Sequence, residues 1–414
     1  MTLEAAPLLE TDPLLDDPGT RIVVCCGSGG VGKTTTAAAL GVRAAERGRK
    51  VVVLTIDPAR RLAQSMGIAS LDNVPRRVEG IDAAPGGELH AMMLDMKRTF
   101  DEVVEAHADA ERSRTILENP FYQSLSAGFA GTQEYMAMEK LGQLRARDEW
   151  DLIIVDTPPS RSALDFLDAP KRLGSFLDGK FIRMLMAPAK IGGRAGMKFL
   201  NVGMSMMTGT LSKLMGTQLL RDVQTFVAAM DTTFGGFRTR ADATYRLLQA
   251  PGTAFLVVAA PERDALREAA YFVERLAAES MPLAGLVLNR VHGSGAAQLS
   301  AERALAAAEN LEESRIVDRA GGQAGTRTPE SPDGDSPAVE GDSDPAELLA
   351  AGLLRLHAER MQVLAREQRM RDRFTALHPE VAVAEVAALP GDVHDLDGLR
   401  AIGNRLATGS PVGV

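Results

Sequence analysis

The apolar positions of this chain fall in contiguous blocks rather than in strict alternation with polar ones. Residues 22–26, 50–56, 152–155, 255–260 and 283–288 are such blocks, most of them rich in Val, Ile and Leu. Strands buried on both faces have this composition, so the blocks predict a parallel sheet covered by helices. Stretches of helical period separate them: an Ala-rich run over 35–47, then Met96–His107, Thr132–Arg147 and Arg263–Ala278. Strand, helix and strand in this order predict an α/β fold with a mostly parallel sheet. The tract 89–147 reads as largely helical, interrupted at Asn119-Pro120-Phe121. Toward the end come an amphipathic helix over 346–377, a strand-like stretch over 380–389, a turn at Pro390-Gly391-Asp392 and a short helix over 396–406.

Three stretches break the pattern. Residues 1–19 carry Glu4, Glu10, Asp12, Asp16 and Asp17 without Lys or Arg, which reads as a disordered acidic tail and not as a secretory signal. Residues 171–248 set Met184, Met186, Met197, Met204, Met206, Met207, Met215 and Met230 among many glycines. That composition reads either as a mobile groove that re-packs around an apolar client or as a Met-filled helical cap. Residues 318–345 shift to Gly, Pro, Ser, Asp and Glu, the composition of a disordered surface insertion. A tail over 407–414 closes the chain.

The chemistry begins where the first apolar block ends. Gly27-Ser28-Gly29-Gly30-Val31-Gly32-Lys33-Thr34, followed by Thr35, joins a strand to a helix. Glycines let consecutive amide N–H groups turn toward phosphate oxygens, and the helix adds its positive end. Lys33 then reaches the β- and γ-phosphates of a nucleotide, and the Thr34 hydroxyl is placed to ligate Mg²⁺. The block at 152–155 runs into Asp156, as a strand delivering a carboxylate toward that cation would. Asp57 follows the second block, and Asn289 ends the fifth, where its amide can either read an adenine edge or cap a loop. ATP and Mg²⁺ are the cofactors this constellation predicts.

Composition narrows the rest. With a formal net charge of −9 over 414 residues, the chain lacks the basic footprint of a nucleic-acid binder. No run of about 18 uncharged apolar residues predicts a membrane span. The two cysteines, Cys25 and Cys26, are neighbours in a strand and point to opposite faces, so they neither bridge nor share a metal, and a reducing cytoplasm is the expected home. The six histidines show no paired metal-ligand spacing.

Over residues 20–406 the chain resembles the ArsA family of anion-transporting ATPases, which includes the guided-entry ATPase for tail-anchored membrane proteins. The motifs that carry the resemblance are the loop 27–35, Thr55-Ile56-Asp57-Pro58-Ala59, and Asp156-Thr157-Pro158-Pro159-Ser160 running on to Leu164 and Phe166-Leu167. In detail it is similar to an actinobacterial paralogue type encoded beside a second family member. The resemblance implies a P-loop NTPase of the SIMIBI class with a deviant Walker A loop and an inserted helical subdomain, dimerising face to face around two nucleotides. It assigns Asp57 to the attacking water, Asp156 to the neighbourhood of Mg²⁺, Asn289 to adenine, and Pro390 to the loop that passes the base.

Departures from the family pattern matter as well. The family loop carries a second lysine just after its first glycine, reaching the partner's nucleotide, and here that position is Ser28. The resemblance therefore implies that Arg60, Arg61 or Arg161 substitutes, that a lysine-bearing paralogue completes a heterodimer, or that a homodimer turns over very slowly. Neither the cysteine cluster for arsenite nor the Cys-x-x-Cys zinc clamp of the eukaryotic relatives is present. Two other readings stay open: a positioning ATPase of the ParA or MinD kind, which the non-basic C-terminus disfavours, and a nucleotide-binding regulatory subunit without turnover.

Overall fold

The computed structural model describes residues 6–57, 61–126, 132–158, 222, 225–226, 239–321 and 345–408. Eight strands form one sheet: β1 (Ile22–Gly27), β2 (Lys50–Thr55), β3 (Arg76–Arg77), β4 (Glu88–Met93), β5 (Leu152–Asp156), β6 (Thr253–Ala259), β7 (Leu283–Val291) and β8 (Val383–Ala387). Their order is β3-β4-β2-β5-β1-β6-β7-β8, and every pair is parallel except β3 with β4. The uninterrupted apolar blocks occupy the middle, where β1, β5 and β6 are buried along their whole length. This order puts the carboxyl ends of β5 and β2 on one side of β1 and those of β6 and β7 on the other. Ligands of open parallel sheets bind beyond such ends.

The two faces of the sheet are packed with different side chains. On one face lie α2 (Lys33–Glu46) and α11 (Leu396–Thr408), and the cluster there joins Ala37, Ala38, Ala44 and Ala45 to Val23, Val51, Val53 and Ile154. A Cβ at Gly41 would stand 2.7 Å from Val53 Cγ2, so α2 sits directly on the strands. The other face is covered by α4 (Met96–His107), α7 (Thr132–Arg147) and α8 (Arg263–Ala278), with Phe100, Tyr122, Tyr135, Trp150 and Phe272 in its core. Small residues fix α2, and with it the loop it begins, closely to the sheet.

Several expectations are corrected. The first residues of the supposed helical tract are β4, which pairs in parallel with β2 from Lys50↔Glu88 to Thr55↔Met93. Its sequence, Glu88-Leu89-His90-Ala91-Met92-Met93, has no β-branched residue, and pairing with β2 overrides local propensity. Asn119-Pro120-Phe121 is a helix start: α6 (Pro120–Ser126) opens on Pro120, and Asn119 Oδ1 accepts from the N–H groups of Phe121 and Tyr122. Between α4 and α6 lies α5 (Ala110–Leu117), capped by Asp109.

The acidic N-terminal segment is also folded over its described part. Leu9 N–H donates to Val383 O at 3.1 Å and Val383 N–H to Pro7 O at 2.8 Å, so the segment runs beside β8. Next, α1 (Thr11–Asp16) lies against α2 and α11, burying Leu15 and pairing Asp12 and Asp16 with Arg43 and Arg47. Arg49 Nη1 and Nη2 then donate to the carbonyls of Leu15 and Thr20 at 2.8 and 2.7 Å. The acidic composition predicted disorder, but Arg43 on α2 and Arg47 just after it receive these carboxylates.

The Met-rich positions named above fall outside the described residues, as do Arg60, Arg161 and residues 322–344 of the insertion. The predicted insertion is shorter at its ends, since 318–321 belong to the helix α9 (Ala301–Gly321) and 345 opens α10 (Pro345–Leu377), which pack along each other. Among the described residues no helix is long and apolar enough to cross a membrane.

Candidate functional site

The loop leaves β1 under tight steric constraint. A Cβ at Gly27 would lie 2.1 Å from the Val258 carbonyl oxygen of β6, and one at Gly32 would lie 2.2 Å from Asn289 Nδ2. Gly30 and Gly32 have φ of +78° and +95°, the left-handed region that side chains disfavour. Gly27 and Gly32 are thus required by contact, and Gly30 and Gly32 by curvature. Gly29 and Gly30 form the exposed tip, Ser28 is half-buried and Val31 joins the α2-face core.

At the start of α2 the chain supplies Lys33, which is only 6% exposed. Its Nζ folds back and donates to the Ser28 carbonyl at 2.7 Å, spanning its own loop. Burial lowers its pKa, opposed by the nearby carboxylates of Asp156 and Asp57. Thr34 comes next, and its hydroxyl donates to Asp156 Oδ2 at 2.8 Å. From the end of β2, the Thr55 hydroxyl donates to the same oxygen at 2.9 Å. Thr35 is half-buried one residue further along α2.

Asp156 is fully buried because β5 lies between β1 and β2, in register with Cys25 on one side and Thr55 on the other. Burial pushes its pKa up to about 6, against the pull of the Thr34 and Thr55 hydroxyls and of Lys33. Among the described residues its buried Oδ1 has no hydrogen-bond partner. An orphaned carboxylate oxygen beside a threonine hydroxyl fits a hard divalent cation, which takes oxygen ligands. Among the described residues no cluster of three His, Cys, Asp or Glu could hold a metal by itself, so the remaining ligands would come from phosphate and water. Thr157 anchors the strand end, its hydroxyl donating to the Cys25 carbonyl at 2.9 Å.

Asp57 emerges half-buried from β2, close enough for its charge to act on both Lys33 and Asp156. The structure therefore brings Lys33, Thr34, Asp57 and Asp156 to one place. Asn289 meets the loop from the opposite side, buried, with Nδ2 donating to the Val31 carbonyl at 2.8 Å. Its donor thus braces the loop, in line with the loop-capping alternative read from the sequence. Pro390 lies exposed on the turn after β8, beside the strand that carries Asn289.

Three residues went unassigned in the sequence. Thr55 and Thr157 each precede or follow a motif aspartate at a strand end, a position that could have flagged them. Arg290 gives no such signal, and it lines a cavity of about 580 Å³ together with Ser28 and Val31. Cys25 and Cys26 are buried, and burial pushes the Cys26 thiol up to about 12, which leaves both without ligand or nucleophile character.

This geometry agrees with comparison to known proteins. The model of a family described as anion-transporting ATPase matches residues 20–316, and the chain belongs to that family. It is similar to an ATPase GET3 of Malassezia globosa, 29% identical over 160 residues that cover 39% of this chain and 45% of the relative. A Mycobacterium tuberculosis protein, Rv2184c, is 34% identical over 176 residues, 40% of this chain and 41% of its own length. An ATPase ASNA1 homolog of Cryptosporidium parvum is 27% identical over 267 residues, 64% and 63% of the two chains. The chain spans between 41% and 63% of the length of these relatives.

Proposed function

We propose that the chain binds ATP with Mg²⁺ at this loop and hydrolyses it, working as a dimeric switch. The observation that carries the reading is the convergence of Lys33, Thr34 and the half-satisfied Asp156 at the carboxyl ends of β1 and β5. Lys33 and the loop amides bind the polyphosphate, and Thr34 and Asp156 hold the cation, which neutralises charge on the transferring phosphoryl oxygens. Asp57 orients the attacking water, and Asn289 with the Pro390 turn takes the adenine. Little covalent chemistry falls to the protein, because positioning and charge supply most of the rate.

Ser28 supports the next part of the reading. A hydroxyl carries no charge to a partner's nucleotide, and cations of that kind contribute on the order of 10³–10⁵ in rate in related phosphoryl-transfer enzymes. We infer a heterodimer with a lysine-bearing paralogous subunit in the cytoplasm, whose opening and closing alters the hold on an apolar client through residues 171–248. A client responds only if the two states bind it differently.

The test is ATP hydrolysis by the purified chain alone, with Lys33→Ala as the blank and molecular mass recorded with and without Mg-ATP. Tight binding with turnover at the blank level supports the heterodimer. Turnover well above the blank in a homodimer removes the need for one. Failure to bind ATP at all overturns the whole reading.

A further inference from the structure

The cavity beside the loop, on the side of β6 and β7, has walls of opposite character. One is the loop from Ser28 to Val31, and the other carries Glu262, Asp264 and Glu268 from the start of α8. A polyanion bound to the loop would face those three carboxylates. Among the described residues, Arg290 is the one positively charged side chain on the lining.

The backbone takes an unusual course to put it there. Arg290 has a φ of +63°, a left-handed conformation disfavoured for any residue with a Cβ, and the pairing of β7 with β8 slips between Asn289 and Val291. Such a bulge redirects one side chain out of the ladder. Contacts on both sides hold it in place. Ahead of it, Asn289 is fixed to the Val31 carbonyl at 2.8 Å. Behind it, the His292 N–H donates to Glu367 Oε2 at 3.0 Å while the ring Nδ1 lies 2.6 Å from Oε1, and Ala388 N–H donates to the Val291 carbonyl at 2.9 Å. The guanidinium is left exposed on the cavity, and Asp264 pairs with Arg267 at 2.9 Å instead. A strained residue held by its surroundings next to a ligand loop points to function.

We propose that Arg290 is a nucleotide-binding residue whose guanidinium contacts the polyphosphate held by the loop and offsets the three carboxylates across the cavity. The proposal rests on the ATP site above. Arginine suits the task because its planar fork bonds phosphate oxygens and cannot be deprotonated.

The experiment is an equilibrium ATP titration of the full chain, at low and high salt, for the wild type, Arg290→Gly, Arg290→Lys and Lys33→Ala. Glycine accepts the left-handed backbone, so Arg290→Gly keeps or raises the melting temperature while removing the charge. Its ATP affinity falls about tenfold or more at low salt, the scale of a hydrogen bond to a charged group. The deficit narrows at high salt, and Arg290→Lys recovers part of it. Unchanged affinity in Arg290→Gly, or a deficit indifferent to salt, overturns the role of Arg290 while a loss in Lys33→Ala keeps the ATP site. If Lys33→Ala binds as the wild type does, the site itself is wrongly placed.

Discussion

On the β5 flank of the loop the key charges are buried: Asp156 has no exposure, two hydroxyls converge on one of its oxygens, and Lys33 is folded over the loop. On the β7 flank the loop leans on a single buried amide, Asn289, and then opens to an exposed arginine and a wall of carboxylates. Charges in the first setting interact in a low dielectric and need no reorganisation when a phosphoryl group arrives. Those in the second are screened by water and depend on what else enters the cavity. On the proposed reading, the closed flank serves the phosphoryl chemistry and the open flank meets the rest of the ligand.

The most damaging way to break this contrast is to merge the flanks through Gly32. In Gly32→Ala the new Cβ meets Asn289 Nδ2 at 2.2 Å and the residue must hold a φ of +95°. The loop is expected to shift, ATP affinity to fall by about 10²-fold or more, and stability to fall by roughly 1–3 kcal/mol. Chemical denaturation and ATP titration measure both. In an Asn289→Ala background the same substitution should cost less, since the clashing group is gone.

Next in size is a pH effect confined to the closed flank. Burial raises the folded pKa of Asp156 to about 6, above the roughly 3.9 of a free aspartate. The folded protein therefore holds this proton more tightly than the unfolded chain, and charging the group costs stability above that value. Free of nucleotide, the protein should gain thermal stability from this group as pH falls from 7 toward 5, whereas Asp156→Asn lacks the gain. Stabilisation by Mg-ATP needs the carboxylate and should shrink over the same interval. Melting curves at several pH values, with and without Mg-ATP, check both signs, and parallel curves for the two proteins would remove Asp156 from the account.

The smallest expected effect is on the open flank. Asn289→Ala removes one neutral hydrogen bond to the Val31 carbonyl, worth about 1–2 kcal/mol including the carbonyl left behind. Denaturant midpoints give the stability change. A loss as large as that of Gly32→Ala would mean that the amide does more than brace the loop.

Much of the closed flank was legible in the sequence, because it consists of short motifs at the ends of contiguous apolar blocks. Lys33, Thr34 and Asp156 were named from motifs that end apolar blocks, and Met96–His107, Thr132–Arg147 and Arg263–Ala278 stand as helices with the boundaries their periodicity suggested. On the open flank Asn289 was named, but Arg290 was not. Arg290 sits in a bulge whose following residues are held from afar, His292 by Glu367 on a helix 75 residues further along the chain. Similarly β4 is a strand because β2 accepts it, and the segment before β1 is ordered because Arg43, Arg47 and Arg49 receive it. These are long-range effects that local propensity does not record.

The segment beside β8 has one more consequence. A sheet of eight strands exposes two rows of unpaired amides and carbonyls, which invite strands from other molecules. Here one border is β3, two exposed arginines long, and the start of the other is occupied by residues 7–9 through Pro7 and Leu9. Among the described residues, sheet-to-sheet polymerisation is thereby discouraged where these two segments lie.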